Sequence, residues 1–213
     1  MIISKIKRIG ATNRFHVYID EQWAGVFLDE ILAKYAFKTD GEIDEEEFKV
    51  IKAENDERVS FDMAVGYLER YVVSEKGLKD YLKKKGFDGK TTQKTCEKLQ
   101  EYGMIDDEKF AKNYFESLSS SQGKRTIARK LLQKGVSKEI VDDLVADVQV
   151  EDEIEKAHNL GEKFVKNREK TAKNKQKCLA HLVYKGYDFS VAKKVTDEIF
   201  AGQETKEDEN DWF

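Results

Sequence analysis

Leu82-Lys83-Lys84-Lys85-Gly86-Phe87, Leu131-Leu132-Gln133-Lys134-Gly135-Val136 and Leu182-Val183-Tyr184-Lys185-Gly186-Tyr187 are three versions of one phrase. Each has a leucine four places before a glycine, a lysine directly before it and an apolar residue directly after it. A further apolar residue stands eight places before each glycine: Leu78, Ile127 and Cys178. Residues at i and i+4 share one helix face, and Lys-Gly is the signature of a helix C-terminus. The phrases recur at a period of roughly 50 residues, so one helical supersecondary unit is used three times. The likeness runs on into the next helix, where Cys96/Leu99, Leu144/Val148 and Val195/Ile199 hold corresponding positions. The expected fold is mainly α: tandem three-helix repeats in an elongated array, with a small N-terminal β-hairpin and helix extension.

Working outward, residues 2–27 read differently. Arg14-Phe15-His16-Val17-Tyr18-Ile19 alternates with period two, placing Phe15, Val17 and Ile19 on one face of a strand. The β-rich stretch Ile2–Ile9 precedes it and Trp23–Phe27 follows it, so a small antiparallel meander is predicted. Such a unit needs support, which Leu28, Ile31, Leu32 and Tyr35 on a helix at 28–37 would supply. A second helix is expected over about 44–56. Thereafter helices are expected at 74–85, 90–102, from 106 onward, 124–134, 137–148, 152–167, 172–185 and 189–200. The segments predicted are 1–58, β-strands plus helices; 59–120, the first three-helix repeat; 121–168, the second; 169–201, the third; and 202–213, a disordered acidic tail. Ser119-Ser120-Ser121-Gln122-Gly123 reads as the linker between the first two repeats.

The chain contains no proline, as expected of helices joined by short turns. Charged residues reach 38%, which suits thin helical modules with much surface. No apolar run approaches the ~20 residues of a membrane span, and the start lacks the apolar segment of a secretory signal. Cys96 and Cys178 fall on apolar helix faces and read as free core thiols, suited to a reducing, cytoplasmic setting. The net charge of −4 conceals segregation. Lys124, Arg125, Arg129, Lys130, Lys134 and Lys138 stand without an acid in 122–138, and Lys163, Lys166 and Arg168 belong to a second basic run. Between them, 139–155 carries Glu139, Asp142, Asp143, Asp147, Glu151, Asp152, Glu153 and Glu155 and no base. Such blocks are either solvated helix faces or a bipolar surface matched to a partner.

Signals of catalysis are missing. Gly123-Lys124 lacks the remainder of a phosphate-binding loop. His16, His158 and His181 lie on separate elements without metal-ligand spacing. Asp106-Asp107 fits a helix start better than an acid–base pair. No catalytic residue, cofactor or metal is expected. Lys83 and Lys84 are either a phosphate-binding patch or cations complementing a helix C-terminus. Tyr67, Tyr81, Phe87, Tyr114, Phe115, Tyr184 and Tyr187 have helical spacing and read as core rather than as stacking platforms.

The ordered set Tyr67-Leu68-x-Arg70-x-x-x-Ser74-x-x-x-Leu78-x-x-x-Leu82-x-x-Lys85-Gly86-Phe87, Gly103-x-Ile105-Asp106-Asp107-x-x-Phe110-Ala111 and Gly123-x-x-x-Ile127-x-x-x-Leu131-x-x-Lys134-Gly135-Val136 resembles the RecX family. These are bacterial regulatory proteins of the RecA recombinase, active in homologous recombination, DNA repair and the SOS response. The resemblance covers about 61–200. Gly77 stands where the family usually has Glu, and Leu118 where a basic residue is common. The resemblance implies tandem three-helix repeats and a regulator rather than an enzyme; a monomer without a membrane segment is expected. Such a regulator binds RecA filaments on single-stranded DNA, mostly inhibits their recombinase, ATPase and co-protease activities, and has direct affinity for DNA, which the net negative charge of this chain is expected to keep weak. Lys83, Lys84, Lys124, Arg125, Arg129, Lys130, Lys134, Lys163, Lys166 and Arg168 are the candidate partner-binding residues. Two other readings stay open: a helical nucleic-acid-binding module and a helical scaffold for another protein.

Overall fold

A computed structural model describes residues 1–201; the expectation for the acidic tail lies outside the described residues. The chain divides into two compact units, one ending at Asp106 and the other beginning at Asp107. In the first, β1 (Ile3–Arg8), β2 (Arg14–Ile19) and β3 (Gln22–Leu28) form an antiparallel sheet in sequence order. The alternation in β2 does what its period demands: Val17 and Ile19 are buried, with Phe15 packed beside them, against Phe27, Ile31 and Ile51. The β2–β3 turn is Asp20-Glu21, both at positive φ. The Asp20 carboxylate accepts the Ile2 amide at 2.8 Å, and Ser4 Oγ accepts the Glu21 amide at 2.6 Å, so the chain at the start of β1 steadies an unusual turn.

The short helix α1 (Asp29–Lys34) follows, and then α2 (Glu45–Leu68), with Asp44 as N-cap accepting from the Glu46 and Glu47 amides. The helix expected at 44–56 runs on without a break to Leu68, into the segment expected to open the first repeat. Nothing between them breaks a helix, and continuity lets α2 serve two cores. Ile51 and Val59 close on the sheet, while Ala64 joins Leu78, Leu82, Cys96, Leu99 and Ile105. Buried Asn55 of α2 finishes the β3 edge like an additional strand, its Oδ1 accepting from the Leu28 amide at 3.0 Å and its Nδ2 donating to the Val26 carbonyl at 2.8 Å. Helices α3 (Glu75–Lys84) and α4 (Gly89–Glu101) complete this unit. Ser74 caps α3 through the Gly77 amide at 3.2 Å, so the cap survives without the glutamate that would reciprocate it. The boundary expected at residue 58 therefore runs through the middle of a helix.

The second unit contains α5 (Asp107–Leu118), α6 (Lys124–Gln133), α7 (Lys138–Ala146), α8 (Val150–Val165), α9 (Ala172–Lys185) and α10 (Phe189–Phe200). Phe110 and Ala111 of α5 share a core with Ile127, Leu131, Val136 and Val141 of the α6–α7 segment. Ala157 of α8 shares one with Cys178, Leu182, Val191, Ala192 and Val195 of α9 and α10. The three-helix groups are thus offset by one helix from the expected segments: α5 packs forward onto α6 and α7, and α8 onto α9 and α10. On α7 Val141 alone is fully enclosed, with Ile140, Leu144 and Val145 partly buried beside it. Both cysteines are buried and free.

The repeated phrase has one structural meaning. Gly86, Gly135 and Gly186 have φ of 95°, 87° and 98°. The Phe87, Val136 and Tyr187 amides reach back to the carbonyls of Leu82, Leu131 and Leu182 at 3.3, 3.2 and 3.2 Å, and the glycine amides reach those of Lys83, Leu132 and Val183 at 3.0 Å each. This is a Schellman motif, with its apolar contact between the residue after the glycine and the leucine four before it. The next residue in each phrase, Asp88, Ser137 or Asp188, is already the N-cap of the following helix. Each phrase therefore encodes a complete helix–turn–helix corner.

Candidate functional site

The basic block of α6 begins at a joint. The amide of Gly123 donates to the Lys185 carbonyl at 2.9 Å and that of Arg125 to the Gly186 carbonyl at 3.2 Å. Unpaired amides at the start of α6 thus meet unpaired carbonyls at the end of α9. The approach is so close that a Cβ on Gly123 would fall 2.3 Å from the Gly186 carbonyl carbon, and one on Gly186 2.6 Å from the Thr126 nitrogen. Only glycine fits either side.

Charge closes the same joint. Lys124 Nζ lies 2.9 Å from Oε2 of Glu153, which is 3% exposed, and 3.4 Å from Oδ2 of Asp188. Glu153 and then Asp188 hold the Lys124 ammonium above its ordinary range, against the burial that lowers it. Arg125 pairs with the other oxygen of Asp188. Asp88 and Ser137 bond to the amides of their own helices, whereas Asp188 makes no such cap bond; its carboxylate faces the joint. Tyr187 lies buried beside the pair, its hydroxyl pushed up to about 12 by burial and then by the charge of Glu153.

The candidate residues therefore separate. Lys124 and Arg125 bind one three-helix group to the next. Arg129 is exposed and Lys130 partly so on the same helix, and the Lys134 ammonium lies 5.1 Å from the centroid of the Tyr114 ring. Lys163 and Lys166 line an open cleft of about 560 Å³ with His158, Glu162, Lys170 and Glu198, and Lys170 donates to the Ile199 carbonyl at 2.7 Å. Arg168 is held on its own helix end, donating to the Phe164 carbonyl with its guanidinium 4.0 Å from that ring's centroid. Lys83 and Lys84 are exposed in the last turn of α3, where cations complement the helix dipole. Of the aromatics expected in cores, Tyr67 and Tyr81 stack at 3.9 Å, but Tyr184 is 83% exposed.

In the sequence Glu153 reads only as one acid of the 139–155 run and Asp188 carries no signal of its own, although one sign of a buried acid is present. Glu153, Ala157 and Gly161 lie four apart on α8 and all are buried, so an acid stands on an apolar stripe and requires a counter-charge. Among the described residues no cluster of His, Cys, Asp and Glu could hold a metal ion, and no helix is long and apolar enough to cross a membrane.

Comparison with known proteins follows the same division of helices. Residues 106–144 match the second three-helix domain of RecX, and residues 151–196 the third. The "Regulatory protein RecX" of Clostridium perfringens (strain 13 / Type A) is 34% identical over 196 residues, covering 88% of this chain and 92% of the relative. That of Clostridium tetani (strain Massachusetts / E88) is 30% identical over 205 residues, covering 92% and 95%. A crystal structure of regulatory protein RecX matches with a TM-score of 0.67 at 23% identity, over 92% of this chain and 98% of the other. RecX from Lactobacillus salivarius matches at 0.62 and 20% identity, over 68% and 96%; at such identities these two bear on the fold alone. The chain belongs to the RecX family of regulatory proteins.

Proposed function

We propose that this chain binds RecA filaments formed on single-stranded DNA and restrains their ATPase, strand-exchange and co-protease activities, acting as a cytoplasmic monomer without catalysis of its own. Kinship with the RecX proteins along nearly their whole length carries this reading. The described surface is compatible with it: the tandem three-helix groups carry exposed cations on α6 and a run of exposed acids on α7 and α8, a pattern able to select register on a repeating partner. The two buried free thiols suit a reducing compartment.

The contact residues proposed are Arg129, Lys130 and Lys134, with Lys163 and Lys166 as a second patch. Lys124 and Arg125 serve the joint first. The test is co-sedimentation with RecA filaments on single-stranded DNA. Arg129→Glu with Lys130→Glu is expected to keep the helical circular dichroism signal and to weaken retention on the filament about tenfold or more, since each reversal replaces an attraction by a repulsion. Retention at the parent level in both low and high salt would remove α6 from the contact surface.

A further inference from the structure

The N-terminal sheet has a second face whose side chains join none of the cores among the described residues. Its register places Lys5 opposite Tyr18 and Tyr18 opposite Trp23; in the next row Lys7 lies opposite His16 and His16 opposite Val26. The register shifts in the two strand pairs leave these side chains in phase, so the rows alternate with the buried set Ile3, Val17, Ile19 and Phe27. Arg14 continues the same side of β2. One face thus carries Lys5, Lys7 and Arg14 around His16, Tyr18 and Trp23. Residues 1–19 contain Lys5, Lys7, Arg8 and Arg14 and no Asp or Glu. The sheet's acids, Asp20 and Glu21, lie in the turn at one end, with the Asp20 carboxylate occupied by the Ile2 amide.

Trp23 is the most telling residue. Its indole is 60% exposed, yet it is not loose: the ring N–H donates to Nδ1 of His16 at 3.2 Å, and the two ring centroids lie 6.4 Å apart. A large apolar ring kept in water and fixed in place by a neighbour is arranged to receive another flat ring. Cations at the rim and aromatic faces in the middle are the two elements of single-strand recognition: the cations track phosphates and the rings stack on bases without reading sequence. Side chains two residues apart on a strand are about 7 Å apart, so His16 and Tyr18 offer successive platforms. An acidic peptide would satisfy the lysines but give the held indole nothing to stack on.

We propose that this outer sheet face, centred on Lys5, Lys7, His16, Tyr18 and Trp23, is a binding site for single-stranded nucleic acid. The site goes beyond the filament reading and stands or falls without RecA. With about three cations available, binding is modest and salt-sensitive, with a log–log salt slope near −2 at roughly −0.7 per phosphate for single strands.

The test uses the full chain without RecA and a fluorescein-labelled oligothymidylate of about 16 nucleotides, within the span of known single-strand sites, followed by anisotropy at several salt concentrations. The chain has two tryptophans, so Trp212→Phe leaves Trp23 as the sole reporter. Saturable quenching of its emission by the oligonucleotide is expected. Trp23→Ala should weaken binding on the order of 5- to 100-fold, the worth of one stacked base, and Trp23→Phe should restore part of it. Lys5→Glu with Lys7→Glu should weaken binding and flatten the salt slope. Neither lysine is in an ion pair among the described residues, so the fold should persist, as checked by circular dichroism. No binding at low salt, unquenched Trp23, parent-level binding by these variants, or equal preference for a duplex of the same length would each overturn the proposal.

Discussion

At the scale of single residues, the three leucines of the repeated phrase carry the heaviest structural duty. Leu82, Leu131 and Leu182 are each fully buried, and each supplies both a carbonyl to the Schellman motif and a side chain to its core. Replacing any one by Ala removes buried apolar volume that helices on both sides cannot collapse to fill, at a cost of about 2–5 kcal/mol. Three separate chemical denaturation curves check this, and an unchanged midpoint in all three variants would refute the equivalence of the phrases. Cys96 offers a test of a different kind. Burial, and then the charge of Glu75, push its thiol from 9.0 up to about 11. The native state therefore keeps a proton that the unfolded chain has already lost between pH 9 and 11. Stability from the neutral thiol is complete below pH 9 and declines as pH rises through that window, by about 2–3 kcal/mol in all. Melting temperatures measured from pH 8 to 11 should fall more steeply for the parent than for Cys96→Ala; parallel curves would exclude the thiol as the cause.

At the scale of elements, the joint between α6 and α9 separates what a sequence shows from what it conceals. The helix–turn–helix corners were legible because a Schellman motif is local: the leucine, the glycine and the apolar residue after it lie within six residues. The sheet was legible from the period of Phe15, Val17 and Ile19. The grouping of helices was not, because which neighbour covers the stripes of α5 and α8 is decided by packing across the chain. Nor was the unbroken α2, whose middle residues give no local sign that two cores share one helix. Lys124 and Arg125 read as surface because their partners, Glu153 and Asp188, are far away in sequence. Lys124→Ala would leave a buried carboxylate without its counter-charge, expected to cost about 3–5 kcal/mol, and adding Glu153→Gln should recover part of it. A double-mutant cycle by thermal denaturation measures the coupling; additive losses would mean that the pair does not hold the joint. Gly123→Ala tests the backbone side of the same joint, with an expected loss of about 1–3 kcal/mol from the forced separation.

At the scale of the whole molecule, tandem three-helix groups and a basic sheet face are several modest surfaces on one chain. Linking such patches makes each later contact intramolecular, so affinity rises faster than area. A cut near Val150 would strip α6 of Glu153, Gly186 and Asp188, disturbing the three-helix group of α5, α6 and α7. A stop after Asp106, at the end of the first compact unit, is the cleaner division, and that fragment is expected to lose most inhibition of RecA while keeping its helical signal. The most direct measurement is ATP hydrolysis by RecA on single-stranded DNA with the full chain titrated in. Hydrolysis is expected to fall progressively as the chain is added, and to fall less at higher salt. A rate that stays constant up to a large excess of folded chain would contradict regulation of the filament.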